Sequence, residues 1–382
     1  MSVWRCAGWQ DHASGMSSLR EILYPAISRG TVYGVVRGEL FRILQIQLEG
    51  GIAVGRLSLG HGSGGRLTND LVKEIASTFA RGSGMLEFED CALLPGGWGV
   101  TIDGFTVSPL SFPGGDIGKL AICGSVNDLA VRGVRPLWLA MSLLAEEGLD
   151  EEELFVYMRS AASVCAELGV QLVAGDTKVL PRGEADRLYI TTCAMGKNEA
   201  ISPWGIKEIS PGDAMIVSGP VGRHGAVIAS LRYDIKLREL ESDCAPLWPL
   251  IEPLVCLRGV HAARDCTRGG LGTVLCEWAE AANVGIEIDE EAIPADGDVS
   301  TVSDILGFDP LYLACEGTAV FAVASEWAEA VLETLRSHPI GRSAAVIGKA
   351  TDAHPGLVGL RTAAGGMRVV DMQGGELLPR IC

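Results

Sequence analysis

The run DEEELFVYMRSAASVCAELGVQLVA, residues 150–174, decides the fold class. Asp150 and Glu153 have capping-box spacing, Leu154, Met158, Ala161, Cys165 and Leu168 recur on one helical face, and Gly169 supplies a left-handed stop. The β-rich apolar segment 170–174 follows at once and reads as a buried strand. A helix that hands over directly to a strand is the building unit of layered α/β and α+β proteins.

Gly175-Asp176-Thr177-Lys178 continues from that strand, at the end where α/β sheets collect ligands. Upstream, Asp116 opens a second helical pattern. Ile117 and Asp128 lie eleven residues apart, which leaves them about 20° from coincident on a helix and puts Asp128 on a face with Ala121 and Gly124. A carboxylate among small apolar residues needs a partner or a metal. Asp103 stands in Thr101-Ile102-Asp103-Gly104. Together Asp103, Asp128 and Asp176 are hard oxygen ligands suited to Mg²⁺; singly, each also reads as a turn or helix-end residue.

Further out, Gly60-His61-Gly62-Ser63-Gly64-Gly65-Arg66 has little side chain to pack and much free backbone, so it is either a phosphate cradle or a flexible hairpin. No Lys-Ser or Lys-Thr follows at P-loop spacing. The Ser-Pro and Pro-Gly-Asp signals in 201–213 mark a break. A second α/β unit follows, with strands at 214–218, 285–288 and 318–323 and helices at about 271–282 and 326–337. Arg264-Asp265-Cys266-Thr267-Arg268-Gly269-Gly270 precedes the first of these helices, where backbone N–H groups favour anions, and Asp265 reads as part of that loop or as a cap. Glu316 lies at a strand edge in Cys315-Glu316-Gly317.

These breaks predict an N-terminal extension of unassigned role at 1–56, a first domain at 57–200, a second at 201–365, and a mobile tail at 366–382 that starts after Gly365-Gly366. Within the tail, Pro379 prevents a regular helix and biases Leu378 toward extended geometry, so the terminal Cys382 rides on an arm able to reach more than one site.

Composition narrows the function. At 382 residues the chain has room for two cores. Thirty-one basic against 48 acidic residues give a net charge of −17, which repels nucleic acid and obliges any anionic ligand to bring or find cations. Eleven scattered cysteines without a CxxC pair predict reduced thiols and a cytoplasmic protein. There is no apolar run of membrane length, no zinc-ligand spacing of His or Cys, and no GxSxG elbow.

His61-Gly-Ser-Gly-Gly, Asp103-Gly, Phe112-Pro-Gly-Gly-Asp116, Gly124-Ser-Val-Asn-Asp128, Gly175-Asp-Thr-Lys178, Asp265-Cys-Thr-Arg-Gly-Gly270, Ala314-Cys-Glu-Gly317 and Pro379-Arg-Ile-Cys382 together resemble the hydrogenase maturation protein E family. That family sits in the superfamily of aminoimidazole ribonucleotide synthetase and selenophosphate synthetase. The resemblance covers about 57–382 and implies a two-domain α/β (α+β) architecture with an ATP groove between the domains, dimerisation through the first domain, and a flexible C-terminal tail. It implies that a carbamoyltransferase loads Cys382. The chain then dehydrates the carbamoyl group to a thiocyanate at the expense of ATP, and iron-binding maturation scaffold proteins receive the cyanide for nickel-iron hydrogenase.

By motif, the resemblance makes Cys382 the carrier and Lys178 with Glu316 the proton-handling pair, and places His61, Gly62, Gly64 and Gly65 near the phosphates. Asp103, Gly115, Asn127, Asp128, Asp176 and Asp265 would serve ATP and its Mg²⁺. Cys266 and Cys315 stand where Pro and Asn are expected, which predicts a looser loop at Cys266 and a lost amide hydrogen bond at Cys315. A related synthetase making selenophosphate or a purine intermediate is the rival enzyme reading, disfavoured by the terminal Cys. A non-catalytic maturation scaffold is the rival of another class.

Overall fold

The first half of the chain runs α1 (Arg66–Phe79), β1 (Ala92–Leu94), β2 (Trp98–Phe105), a small hairpin β3 (Ser111–Phe112) and β4 (Gly115–Asp116), α2 (Ile117–Ala130), β5 (Val134–Glu146), α3 (Glu151–Leu168), β6 (Gln171–Leu180) and β7 (Leu188–Asn198). The computed structural model describes residues 57–62, 65–79, 89–237, 239–372, 378 and 380–382. The extension expected at 1–56 and the candidate Gly64 lie outside the described residues.

The strands form a five-stranded sheet in the order β1-β2-β7-β5-β6, antiparallel except for β5 with β6. Helix α3 obeys its sequence signals. Asp150 Oδ1 accepts from the N–H groups of Glu152 at 2.7 Å and Glu153 at 3.4 Å. Gly169, at φ 68°, closes the helix with the Val170 N–H on the Cys165 carbonyl at 2.9 Å. Glu153 does not close a capping box; it pairs with Arg187 and accepts from the Tyr157 hydroxyl. Helices α2 and α3 pack so tightly that a Cβ on Gly118 would fall 1.9 Å from the Tyr157 carbonyl oxygen.

One expectation fails here. Segment 170–174 is not a buried strand; it begins β6, whose residues are exposed from Gln171 to Val179. The strand pairs with β5 alone and is exposed on both faces, so one edge and both faces of β6 have no cover within the described chain. An apolar run does not distinguish a strand buried by its own chain from one left open.

Register fixes which residues share a face. Along β7, Leu188, Ile190, Thr192 and Ala194 are buried on the helix-covered side. Asp103 is opposite Thr192, Thr192 opposite Met141, and Met141 opposite Gly175, so Asp103 faces the helices. Asp176 is opposite Ser142 and Lys178 opposite Leu144, which puts both on the open face.

The second half runs β8 (Ala214–Val217), α4 (Arg223–Arg232), β9 (Val260–Asp265), α5 (Gly270–Ala282), β10 (Gly285–Asp289), α6 (Gly297–Leu306), β11 (Ala319–Val323), α7 (Ala328–Ser337), β12 (Ala345–Thr351), β13 (Val358–Arg361) and β14 (Met367–Val370). Its seven-stranded sheet has the order β14-β13-β10-β12-β8-β11-β9. The central strands β8 and β11 are buried on both faces: Met215, Val217 and Val320 join α5 in one core, and Ile216, Phe321 and Val323 join α7 in another. Continuous apolar runs at these strands follow from that double cover.

The tail departs from expectation. Gly365-Gly366 do not open it: they form the turn of the β13–β14 hairpin, where the Thr362 N–H meets the Gly366 carbonyl at 2.9 Å. The chain leaves the sheet only after β14. The end is docked, with Leu378, Ile381 and Cys382 buried in the core cluster of the first sheet. Among the described residues no helix is long and apolar enough to cross a membrane.

Candidate active site

Three carboxylates from three elements meet where the two halves join. Asp90 precedes β1, Asp128 lies near the end of α2, Asp265 ends β9, and each offers an oxygen within 4.8 Å of the others. Asp103 stands beside them: the Thr101 hydroxyl donates to Asp128 at 2.7 Å and lies 3.5 Å from Asp103, and the Ser125 hydroxyl donates to Asp103 at 3.1 Å. Burial, reinforced by the charges of Asp103, Asp265 and Asp90, pushes Asp128 well above the usual carboxylate range. Burial likewise raises Asp265 to about 8, with Asp90 adding to it and Arg264 opposing, and raises Asp90 to about 6 against the pull of Arg264. Asp90 Oδ2 and Asp265 Oδ2 are buried without a hydrogen-bond partner among the described residues. Clustered, desolvated carboxylates with orphaned oxygens are a cation site in chemical character.

Arg264 ties this cluster to the rest of the fold through Asp90 at 3.0 Å and Glu277 at 2.5 Å. Glu277 also accepts from Asn69 of α1 at 2.9 Å. The glycine-rich loop just before α1 is a short turn at Leu59–Gly62, with the His61 ring held by Ser58 at 2.9 Å.

The tail reaches the same junction. An oxygen of the Cys382 α-carboxylate accepts from Thr106 N at 2.9 Å and Thr106 Oγ1 at 3.1 Å. Ile381 is held by His224, whose Nε2 donates to its carbonyl at 2.7 Å while Nδ1 lies 2.8 Å from the Ser242 hydroxyl. Arg380 is gripped through its carbonyl by Ser108 N at 3.2 Å and Arg232 at 2.5 Å. Cys382 Sγ thereby comes to rest 3.4 Å from Arg268 Nη1. Burial pushes the thiol up to about 11, partly offset by Arg268.

Glu316 is the fourth part. Its backbone is pinned from both sides: its N–H donates to Asp243 at 3.2 Å, and its carbonyl accepts from Asn127 Nδ2 at 3.2 Å. Asn127 also donates to the Ala245 carbonyl at 3.1 Å and accepts from Leu247 N at 2.7 Å, a clamp from α2 onto the second half. The Glu316 carboxyl is 1% exposed, and its Oε1 has no partner among the described residues. Burial first, then Cys244, Asp265 and Asp243, push it well above the carboxylate range, with Arg268 opposing.

Of the residues expected from sequence, the structure gathers Asp103, Asp128, Asp265, Glu316 and Cys382. Asn127 is there as a clamp with both amide donors engaged. Gly115 lies in the hairpin β3–β4, whose neighbouring Gly114, at φ 92°, leaves no room for a Cβ against Ser242; the ring of Phe112 stacks edge-on to His224 at 5.1 Å. His61 and Gly62 make no hydrogen bond to the acidic cluster among the described residues. Asp176 and Lys178 are apart: three strands from Asp103, about 14 Å at the usual strand spacing, on the opposite face, and paired with each other at 2.7 Å. Within one chain the carboxylates that come within 4.8 Å of one another are Asp90, Asp128 and Asp265, and Asp176 is not beside Asp103 and Asp128. Sequence reading passed over Asp90, although the acidic pair Glu89-Asp90 just before β1 was a visible signal. It also passed over Thr106, His224 and Arg268, whose roles depend on a tail more than a hundred residues away.

Known proteins match along the same lines. Residues 88–197 match the N-terminal domain of AIR synthase related proteins and residues 210–359 their C-terminal domain. Carbamoyl dehydratase HypE of Rhodobacter capsulatus is 43% identical over 337 residues, covering 86% of this chain and 98% of the relative. HypE of Escherichia coli is 42% identical over 340 residues, covering 86% of this chain and all of the relative. The chain belongs to the carbamoyl dehydratase HypE family.

Solved HypE structures superpose accordingly. One, of a HypE-HypF complex, has a TM-score of 0.76 at 41% identity and covers 79% of this chain and 99% of that one; another, of HypE in complex with ATP, has a TM-score of 0.73 at 38% identity and covers 86% and 100%. Thiamine monophosphate kinase of Aquifex aeolicus, at 17% identity and a TM-score of 0.59, shares the fold alone.

The two departures from the family motif have structural answers. Cys266 keeps an N–H that proline would lack and donates it to Thr318 at 3.0 Å, so the loop is tied by one more rung rather than loosened. Cys315 Sγ accepts from Gly222 N at 3.0 Å and so retains a hydrogen bond at that position.

Proposed function

We infer that this chain, as a HypE carbamoyl dehydratase, uses ATP to dehydrate a carbamoyl group carried on its own Cys382 to a thiocyanate, the source of the cyanide ligands of nickel-iron hydrogenase iron. The observation that carries the reading is the terminal thiol itself, delivered by a docked tail to a junction that holds Arg268, Glu316 and an acidic cluster. The same geometry favours dehydration over the rival synthetase and scaffold readings, because a synthetase has no use for a terminal Cys at its reactive centre and a scaffold no use for a cation site beneath it.

The family's ATP complex supports ATP as the phosphoryl donor. The residues fit Mg²⁺: Asp90, Asp128 and Asp265 would hold it, with Asp103 alongside. When bound, the cation supplies positive charge against the phosphates. An amide oxygen is a poor leaving group, and phosphorylation makes it a good one. Glu316, with its proton held unusually tightly, is a strong base once ionised and suits removal of the N–H protons.

We extend three further assignments to the assembly. The HypE-HypF complex supports a HypF-type carbamoyltransferase as donor, and iron-binding maturation scaffolds are the acceptors. The uncovered edge and the exposed faces of β6, where Leu172, Val173 and Val179 are all more than half exposed, support a homodimer through the first domain, 57–200, with 201–365 as the second. A partner copy docked there is the route by which Lys178 joins Glu316, since one chain alone keeps them apart. The test of the function is infrared spectroscopy of protein carrying a ¹³C-labelled carbamoyl group: ATP and Mg²⁺ generate an isotope-shifted nitrile band, and its absence during ATP turnover overturns the reading.

A further inference from the structure

Arg268 sits between the end of β9 and the start of α5, on a turn whose geometry is closed to variation. Gly269 and Gly270 are left-handed, at φ 78° and 60°, and a Cβ on Gly269 would fall 2.3 Å from the Thr273 hydroxyl. This turn begins at Asp265, so one short loop presents a carboxylate to the acidic cluster and a guanidinium to the tail. Arg268 Nη1 lies 3.4 Å from Cys382 Sγ, and its other charged neighbours are Asp103 and Glu316. The sulfur is not free to drift. Thr106 binds an oxygen of the Cys382 α-carboxylate, and His224 binds the preceding carbonyl. Among the described residues, Arg268 is the one cation hydrogen-bonded to the thiol.

A carbamoyl group on Sγ places its carbon one bond, and its oxygen and nitrogen two bonds, beyond the atom that Arg268 already touches. A guanidinium offers five donors in a planar fork, stays charged throughout, and matches the oxygens of a phosphorylated group better than an ammonium does. An arginine keeps its proton at any working pH, so Arg268 gives none to the reaction.

We propose that Arg268 is a catalytic residue of the dehydration, its guanidinium holding the carbamoyl oxygen on Cys382 and balancing the charge that grows there. The proposal rests on the dehydratase reading. In the first step the carbamoyl oxygen forms a bond to the γ-phosphorus of ATP, the bond from that phosphorus to the bridging oxygen breaks, and ADP leaves with the electron pair as the nitrogen loses one proton to a base. In the second, the carbon–oxygen bond breaks, phosphate leaves with its electron pair, and the nitrogen loses its other proton to give S–C≡N. The sum is thiocarbamate plus ATP to thiocyanate, ADP, phosphate and one proton. As the nitrogen gives up its first proton, negative charge moves to that oxygen before it attacks, and charge returns to it when the carbon–oxygen bond breaks; that is where the guanidinium lies.

The test is single-turnover dehydration of carbamoylated protein with ATP and Mg²⁺, followed by intact mass, in wild type, Arg268→Ala and Arg268→Lys. Loss of a preorganised donor of this kind slows chemistry by about 10²–10³-fold. We expect that loss in R268A, a smaller one in R268K, ATP affinity and melting temperature close to wild type in both, and partial restoration of R268A by guanidinium ion in the buffer. An R268A rate within about threefold of wild type overturns the role of Arg268 and leaves the dehydratase reading standing. A slow R268A that has lost ATP affinity and does not respond to guanidinium also overturns it. If wild type itself forms no thiocyanate, the dehydratase reading fails and this proposal falls with it.

Discussion

His224 Nε2 donates a hydrogen bond to the carbonyl of Ile381 at 2.7 Å, a contact between residues 157 positions apart that holds the last residue of the chain inside the protein. Both groups are buried, so removing the ring leaves a carbonyl unsatisfied, a loss of about 1–3 kcal/mol. The prediction is that His224→Ala shifts the tail outward and raises the alkylation rate of Cys382 by about tenfold at fixed pH, one decade per 1.4 kcal/mol. Peptide mapping of maleimide-labelled protein reads this directly, and an unchanged rate would mean that the latch lies elsewhere.

The acidic cluster predicts a link between pH and Mg²⁺. Asp90 and Asp265 are raised from 3.8 to about 6 and about 8. Raised carboxylates favour the folded state at low pH, and that contribution is lost as pH rises through the folded values. Without divalent cation, the melting temperature should therefore fall between about pH 5 and pH 8.5. Mg²⁺ binds the ionised form, so its stabilising effect should grow over the same interval and shrink in Asp265→Asn. A Mg²⁺ effect independent of pH would remove the cluster as its site.

Glu316 carries a pH prediction of opposite use. As a base it acts ionised, and burial holds its proton above the carboxylate range. Single-turnover dehydration should accelerate with rising pH through that elevated pKa, and Glu316→Gln should be slower by about 10²–10⁴-fold and lose this limb. A pH profile shared by wild type and variant would assign the limb to another group.

Lys178 lies on the open face of the first sheet, three strands from Asp103, whereas Glu316 belongs to the second half and is held by Asn127 on the covered side, so their cooperation calls for two chains. Inactive Lys178→Ala and Glu316→Ala proteins, mixed and re-associated, should then recover about a quarter of wild-type activity, because half of the dimers are mixed and one site in each is intact. No recovery would place both residues in a single-chain site or remove Lys178 from it.

Local signals in the sequence were strong where the chain answers to its near neighbours. Asp150 and Gly169 fix both ends of α3 by capping chemistry alone, and the face of α2 put Asp128 toward the acidic cluster. Signals were weak where long-range partners decide. β6 looked buried because an apolar run does not by itself say whether the chain covers it. That Asp176 falls on the face away from Asp103 was hidden because register is invisible before strands are paired. Arg268 stood inside a quoted motif, yet its meaning depends on Cys382, 114 residues later.

Intact mass of carbamoylated full-length protein, before and after ATP and Mg²⁺, tests the central claim most directly. The account predicts a loss equal to one water, mapped by fragmentation to Cys382 and absent when ATP is replaced by a non-hydrolysable analogue. An unchanged mass while ATP is consumed, or a loss mapped to any other residue, contradicts it.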